Sequence, residues 1–104
     1  MIVEQRTYTF KTGMVPQFLE LYEERALALQ SQVLGNLLGY FWSEFGALNQ
    51  TVHLWGYSSL DDRQKRRAAL MQHAEWRDFL REVSPMILTQ ESKILNPTSF
   101  SPIR

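Results

Sequence analysis

Apolar and polar positions alternate in four stretches of the chain, and this alternation predicts four β-strands. The stretches are rich in β-branched and aromatic side chains and are bounded by turn-forming residues. The five residues from Gly46 to Gln50 separate the second stretch from the third, a spacing typical of a β-hairpin. The predicted strands cover residues 2–10, 39–45, 51–57 and 86–95.

Two regions between the strands follow the period of an α-helix instead. The first has apolar residues at every third or fourth position, which predicts one continuous helix that begins at Pro16 and stops at Gly35. The second region begins at Ser59, a residue type that caps helix N-termini, and the predicted helix is interrupted near His73. A short helix follows the interruption and ends at Pro85.

The predicted order of elements is therefore β-α-β-β-α-β, the split β-α-β arrangement of ferredoxin-like folds. We predict an α+β fold with a four-stranded antiparallel sheet and helices on one face of the sheet. In this arrangement the first and third strands are central neighbours. A chain of 104 residues can bury one hydrophobic core, so residues 1–104 are predicted to form a single domain.

The predicted strands carry large apolar side chains on both faces, which bears on assembly. On the third strand, Val52 and Leu54 point to one side while Trp55 and Tyr57 point to the other. A sheet with one face in water would alternate more cleanly between apolar and polar residues. Because helices cover only one face, we predict a homodimer that forms through the open face of the sheet.

The composition excludes several classes of function. With 11 basic and 11 acidic residues the formal net charge is zero, so we expect no binding to nucleic acid. The absence of cysteine excludes disulfides, thiol catalysis and thiolate metal sites. No apolar run approaches the roughly 18 residues of a membrane span, and the N-terminus lacks the pattern of a signal peptide. A cytoplasmic location is therefore expected.

One dense run of basic residues lies in the second helical region. The run follows two aspartates and comprises Arg63, Lys65, Arg66 and Arg67. A charge run of this kind predicts a solvent-exposed helix face. The alternative is a surface that captures phosphate or another anion.

Two central strands carry candidate site residues at alternate positions, which directs their side chains to one face of each strand. If the two faces coincide, a carboxylate, a guanidinium, a phenol and an imidazole meet in an aromatic setting. Such a set suits the polarisation or deprotonation of a small phenolic or carbonyl compound. The candidate catalytic residues are His53, Arg6 and Tyr8. The candidate ligand-binding residues are Glu4, Arg6, Tyr8, His53, Trp55 and Tyr57.

The same residues also have a structural interpretation, in which Glu4 pairs with Arg6 or with the partner chain inside a subunit interface. Metal and haem sites are the remaining alternatives. A metal site built from Glu44, Glu91 and His53 has no supporting spacing motif, and a haem would depend on a single axial histidine. We therefore predict no metal and no cofactor.

Three stretches of the chain resemble a known family. They are the opening residues 2–9 with Gly13, the run from Leu48 to Arg63, and the segment Glu75-Trp76-Arg77-Asp78-Phe79-Leu80. Together they resemble the NIPSNAP family over nearly the whole chain. The run from Leu48 to Arg63 is the most specific part of the resemblance, because so long an aromatic pattern is hard to match by accident.

The resemblance implies a dimeric α+β barrel, in which the open faces of two sheets meet, and a function that is unassigned in most members. Cofactor-independent monooxygenases share this fold, although the analogy concerns the fold alone. We therefore predict a homodimeric binding or interaction module that has a possible small-molecule ligand. The alternative is a small-molecule enzyme of the monooxygenase or isomerase type, with a pocket between the sheet and the helices.

Overall fold

Four strands and four helices make up the computed structural model, which describes all 104 residues. The strands form one sheet in the order β2-β3-β1-β4, and every neighbouring pair is antiparallel. A short 3₁₀ turn at Ser84–Met86 precedes the last strand. In chain order the elements are β1 (Ile2–Phe10), α1 (Val15–Arg25), α2 (Leu27–Leu34), β2 (Leu37–Trp42), β3 (Gln50–Tyr57), α3 (Leu60–Met71), α4 (Ala74–Val83) and β4 (Ile87–Leu95).

The predicted ferredoxin-like fold is confirmed, and β1 and β3 are the central neighbours. All four helices lie on one face of the sheet. Side chains from this face and from the helices form the core, because each contributes one apolar side. The core residues include Phe10, Phe18, Tyr22, Leu34, Trp55, Leu70, Trp76 and Phe79.

No helix is both long and apolar enough to cross a membrane.

The prediction of one continuous first helix is wrong. The helix breaks at Ala26, whose backbone φ of −125° departs from helical geometry, and it resumes as α2. The break turns α2 so that it packs against α3. Across the break, the Tyr22 hydroxyl donates a hydrogen bond to Gln30 Oε1. The predicted stop at Gly35 is present, with a left-handed φ of 91° that an L side chain rarely adopts.

The second strand was predicted two residues too late at its start and three too late at its end. The strand runs from Leu37 to Trp42, and its pairing with β3 shifts between Leu37 and Gly39. A Cβ atom at Gly39 would lie 2.7 Å from the ring of Phe41, so any other residue here would have to displace that exposed ring. This irregularity hides the start of the strand, since local patterns favour a glycine as a boundary.

The second helical region follows its prediction closely. Ser59 caps α3, and its hydroxyl oxygen accepts a hydrogen bond of 3.0 Å from the backbone N–H of Asp62. The next helix, α4, buries Trp76, Phe79 and Val83 along one side. The predicted interruption at His73 is the N-cap position of α4.

The open face of the sheet is apolar on only two of its strands. Phe41 is 56% exposed there, and its neighbours Val52 and Leu54 are half-buried. The open faces of β1 and β4 are instead mostly polar, with Gln5, Thr7 and Thr9 opposite Lys93, Glu91 and Thr89. Residues after β4 line a groove on this face beside Val3. The predicted two-sided apolar character therefore holds for β2 and β3.

Candidate functional site

The pairing of β1 with β3 brings the six candidate ligand-binding residues onto one face of the sheet. Arg6 lies opposite His53, and Glu4 lies opposite Trp55. This face is covered by the helices of the same chain, so the residues lie inside the protomer and outside any contact between open sheet faces. The pairing of Glu4 with Arg6 that the structural interpretation predicts is present within the protomer.

Glu4 is the centre of a buried polar cluster. Its side chain is fully buried, and a single oxygen, Oε2, accepts three hydrogen bonds. Arg63 donates at 2.7 Å, Arg6 at 3.1 Å and the Ser92 hydroxyl at 2.5 Å. Arg6 also donates to the Tyr8 hydroxyl at 3.2 Å. The arrangement joins β1, β4 and α3 through one carboxylate.

The electrostatics of the cluster keep Glu4 ionised. Burial alone would raise the pKa of Glu4, but the hydrogen bonds from Arg63 and Ser92 and the charges of Arg6 and Arg63 outweigh it. The pKa of Glu4 falls from 4.5 to about 2. Burial also opposes the charge of Arg6, yet Tyr8 and Glu4 raise its pKa above the ordinary value. The carboxylate and Arg6 therefore stay charged at neutral pH.

Two members of this cluster were not predicted from the sequence. Arg63 was assigned to a solvent-exposed helix face, and that prediction is wrong because its guanidinium reaches the buried Glu4. Ser92 was not singled out at all. Its position opposite Arg6 on β4 is a consequence of strand register. The alternation of β4 was the one available signal, because it places Ser92 on the helix side.

His53 and Trp55 form a second buried pair beside the carboxylate cluster. The indole N–H of Trp55 donates to His53 Nδ1 at 2.7 Å. An indole nitrogen only donates, so Nδ1 is the acceptor and the proton of the neutral imidazole lies on Nε2. Tyr40 stacks on the imidazole at 4.5 Å between ring centroids, and Tyr8 meets it edge-on at 5.0 Å.

The environment holds His53 in its neutral form. Burial lowers the pKa of His53 from 6.5 to about 3, and the charge of Arg6 acts in the same direction. With Nδ1 occupied and Nε2 protonated, the side chain has no free lone pair with which to accept a proton. The geometry favours His53 as a neutral hydrogen-bond donor rather than as a general base.

His53 lines a small cavity between the sheet and the helices. The cavity has a volume of about 30 Å³, room for roughly one or two water molecules. His53 Nε2 is buried and has no hydrogen-bond partner in the protein. Pockets for larger ligands need roughly 300 Å³ or more. The other lining residues are mostly aromatic or apolar and include Tyr8, Tyr22, Tyr40, Trp76 and Phe79.

The structure does not assemble the alternative metal site. His53 lies on the helix side of the sheet, Glu91 lies on the open side opposite Thr7, and Glu44 lies in the β2–β3 connection. No group of three His, Asp or Glu residues has the geometry of a metal site. An axial haem ligand needs a free imidazole nitrogen, and the cavity of about 30 Å³ has no room for a macrocycle.

A larger open groove lies at the hairpin end of the sheet, where no site was predicted. It has a volume of about 500 Å³ and runs between the start of α1 and the β2–β3 connection. Trp42 and Leu48 line it and are 57% and 59% exposed. Phe45, in the same connection, is 85% exposed. An exposed apolar surface of this kind is typical of contacts with other proteins.

The fold and the site together define a ferredoxin-like α+β protein with a charged cluster and an aromatic cavity between its sheet and its helices. The family model of NIPSNAP matches residues 3–102, and the chain belongs to the NIPSNAP family. It is 32% identical over 103 residues to Protein NipSnap homolog 2 of Danio rerio, and the alignment covers 99% of this chain and 35% of that protein. The chain thus spans about a third of the length of this curated relative.

Solved structures place the chain among bacterial relatives. A NIPSNAP family protein with unknown function from Agrobacterium tumefaciens is 44% identical and superposes with a TM-score of 0.97, covering 100% of this chain and 94% of that one. An antibiotic biosynthesis monooxygenase superposes with a TM-score of 0.65 at 10% identity, covering 94% of this chain and 99% of that one. The second likeness is one of fold alone.

Proposed function

We propose that this NIPSNAP family protein acts as a homodimeric binding module whose protomers associate through the open faces of their sheets. The observation that carries the proposal is the apolar patch of Phe41, Val52 and Leu54 on the face without helices. Burying this patch against a second copy removes it from water on both protomers at once. The exposed hairpin residues Trp42, Phe45 and Leu48 then offer a surface for a protein partner.

The chemistry of the buried site supports binding without turnover. His53 is a neutral donor, and Glu4 is held as an ion by two arginines. Burial raises the pKa of Tyr40 and of Tyr57 above the ordinary value for a phenol. None of these groups exchanges a proton near neutral pH, which is what a general acid or base must do.

The dimer can be tested by light scattering after gel filtration. We expect the wild-type chain to have about twice the protomer mass of 12.2 kDa. A Phe41→Glu variant should run as a monomer, because a carboxylate would be buried without a partner in the dimer contact. Its folding should be unaffected, since Phe41 is largely exposed within the protomer.

Phe45→Glu is the matched control for this experiment. It makes the same chemical change at a side chain that is 85% exposed in the β2–β3 connection, away from the sheet face. This variant should remain a dimer. A wild-type mass of one protomer at micromolar concentration, or the same mass for both variants, would contradict association through the open face.

A second candidate function is the binding of a small hydrogen-bond acceptor by His53. The observation that favours it is the buried Nε2–H of His53, which has no partner in the protein, on a side chain that lines the aromatic cavity. A carbonyl or phenolate oxygen would satisfy this donor, and the rings of Tyr8 and Tyr40 would contact its apolar part. An occupant larger than about 30 Å³ has to displace side chains that line the cavity.

A thermal-shift screen tests this candidate with short carbonyl compounds and phenols. At a ligand concentration about five times Kd, binding adds about 1 kcal/mol to the free energy of unfolding and raises Tm by about 4 °C. The shift should vanish in His53→Ala and persist in His73→Ala, where the same change is made outside the cavity. A shift that is equal in the two variants would assign binding to some other place.

A further inference from the structure

The arginines of α3 differ in their contacts with the rest of the protein. Arg63 and Arg67 are four residues apart and therefore lie on the same side, one turn from each other. Arg63 contacts the buried carboxylate of Glu4 at 2.7 Å. Arg66 has other partners: it pairs with Asp62 and donates to the backbone carbonyl of Val33. The side with Arg63 and Arg67 faces the sheet.

Arg67 has no ion pair and no hydrogen bond within the protein, although it is only partly exposed. The charges that act on it are chiefly those of Arg6, Glu4 and Arg63. Burial lowers the pKa of Arg67, and the two neighbouring arginines lower it further. Arg6 and Arg63 contact the carboxylate of Glu4, and Arg67 lies one helical turn from Arg63. Glu4 is the one negative charge that acts on all three arginines, which leaves two positive charges without a counter-charge.

The hydrogen bonding of the cluster is also incomplete. The Nε group of Arg63 is buried and has no acceptor, and the hydroxyl of Tyr57 is buried and has no partner. Groups of this kind cost free energy when they are left unpaired. Burial raises the pKa of Tyr57, and the charges of Glu4, Arg67 and Arg63 also act on it, so its hydroxyl belongs to the electrostatic surroundings of the cluster.

The cluster is reachable from solvent over β4. The helix-side residues of that strand, Gln90, Ser92 and Ile94, are exposed because no helix covers them. Arg6 and Arg63 keep 11% and 27% of their side-chain surface in contact with solvent. Arg6 and Arg63 are therefore in partial contact with solvent, and neither lines the aromatic cavity.

We propose that Arg6, Arg63 and Arg67 form a binding site for a small dianionic oxyanion, a phosphate group either free or as a monoester. A phosphate monoester carries about 1.5 to 2 negative charges at neutral pH, which is close to the excess charge of the cluster. Its oxygens accept the paired hydrogen bonds that guanidinium groups donate. The site lies on the helix side of the sheet, so it does not depend on the dimer proposed above.

Isothermal titration with inorganic phosphate, at an ionic strength held constant with chloride, tests the site. The wild-type chain should bind one phosphate per protomer. The Arg67→Gln variant should bind at least about tenfold more weakly, because one charged donor is lost. This variant should fold normally, since Arg67 has no partner to lose. The Arg66→Gln variant, which removes the same charge from the adjacent position, should bind as the wild type does.

Phenyl phosphate serves as the probe for a monoester. Tighter binding of phenyl phosphate than of inorganic phosphate, with the same dependence on Arg67, would assign a monoester as the ligand class. Equal binding of the two would assign the free anion. Absence of phosphate binding by the wild-type chain would overturn the proposal. Equal weakening by the two glutamine substitutions would do so as well, because the effect would then be one of overall charge.

Discussion

Replacing Glu4 with glutamine is expected to lower the free energy of unfolding by about 3–5 kcal/mol at neutral pH. Loss of one partner from a buried ion pair leaves the other charges buried and uncompensated, and losses of this size are typical. The variant would leave Arg6, Arg63 and Arg67 in mutual repulsion, with only a neutral amide between them. Urea denaturation at a fixed protein concentration measures the change.

The dependence of this loss on pH distinguishes the charge of Glu4 from its packing. The pKa of Glu4 is about 2 in the folded protein and 4.5 in the unfolded chain. Because the folded pKa is lowered, the charge of Glu4 stabilises the folded protein fully above pH 4.5. This stabilisation disappears as the pH falls through 2. This shift in pKa corresponds to about 3 kcal/mol of the free energy of unfolding. The difference between wild type and Glu4→Gln should therefore shrink steadily on acidification.

Two comparisons make this test specific. Glu24→Gln removes an exposed carboxylate from α1 and should change the free energy of unfolding by less than about 0.5 kcal/mol. His53 also destabilises the fold below pH 6.5, since its folded pKa is lowered to about 3. The burial of His53 and its repulsion by Arg6 are present in both proteins, so most of this effect cancels in the difference between them. A loss that stays constant between pH 7 and pH 3 would refute the electrostatic explanation.

Truncation of Trp55 to alanine is expected to cost about 3–5 kcal/mol, the range for large aromatic side chains in protein cores. Trp55 is 0% exposed and lies at the centre of the sheet, where it meets His53 edge-on. The same substitution at Trp42, which is 57% exposed, is the matched control and should cost less than about 1 kcal/mol. A cost below 0.5 kcal/mol for Trp55→Ala would show that this side chain is not part of the core.

Trp55→Phe separates the packing of the ring from its hydrogen bond. This variant keeps most of the apolar surface but leaves Nδ1 of His53 without a donor. We expect a cost of about 1–3 kcal/mol, the penalty for a buried acceptor that has lost its partner. NMR of the imidazole nitrogens should then report a change of tautomer. An unchanged Nε2–H tautomer would show that the indole N–H does not determine it.

The fold was largely predictable from the sequence because its signals are local. Alternation defined β1 and β3 within a residue, and Ser59 marked the start of α3 because its hydroxyl caps the first turn. The break at Ala26 was not predictable in this way. Alanine favours helices, and the chain turns there because α2 must reach α3, which is a requirement of tertiary packing.

The candidate site was predictable only in part, for a related reason. The alternating positions of Glu4, Arg6, Tyr8 and of His53, Trp55, Tyr57 placed both sets on the helix side once β1 and β3 were paired. The contact between Glu4 and Arg63 spans 59 residues and depends on how α3 lies across the sheet. The tautomer of His53 likewise follows from one distance to Trp55. A local sequence pattern predicts neither the Glu4–Arg63 contact nor the tautomer of His53. The homodimer and the cytoplasmic location stay predictions.

The two edges of the sheet differ in how they discourage unwanted association. On β4, the central run Gln90-Glu91-Ser92-Lys93 puts both signs of charge on an exposed strand, which opposes the addition of a foreign strand. On β2, the sequence from Leu37 to Trp42 has no charge, and only the irregular pairing at Leu38 interrupts its edge. Amyloid-type stacking requires flat, uncharged edges. The resistance of the protein to aggregation therefore depends on the β2 edge. There the irregular pairing at Leu38 opposes the addition of a foreign strand, as the charged residues do on β4.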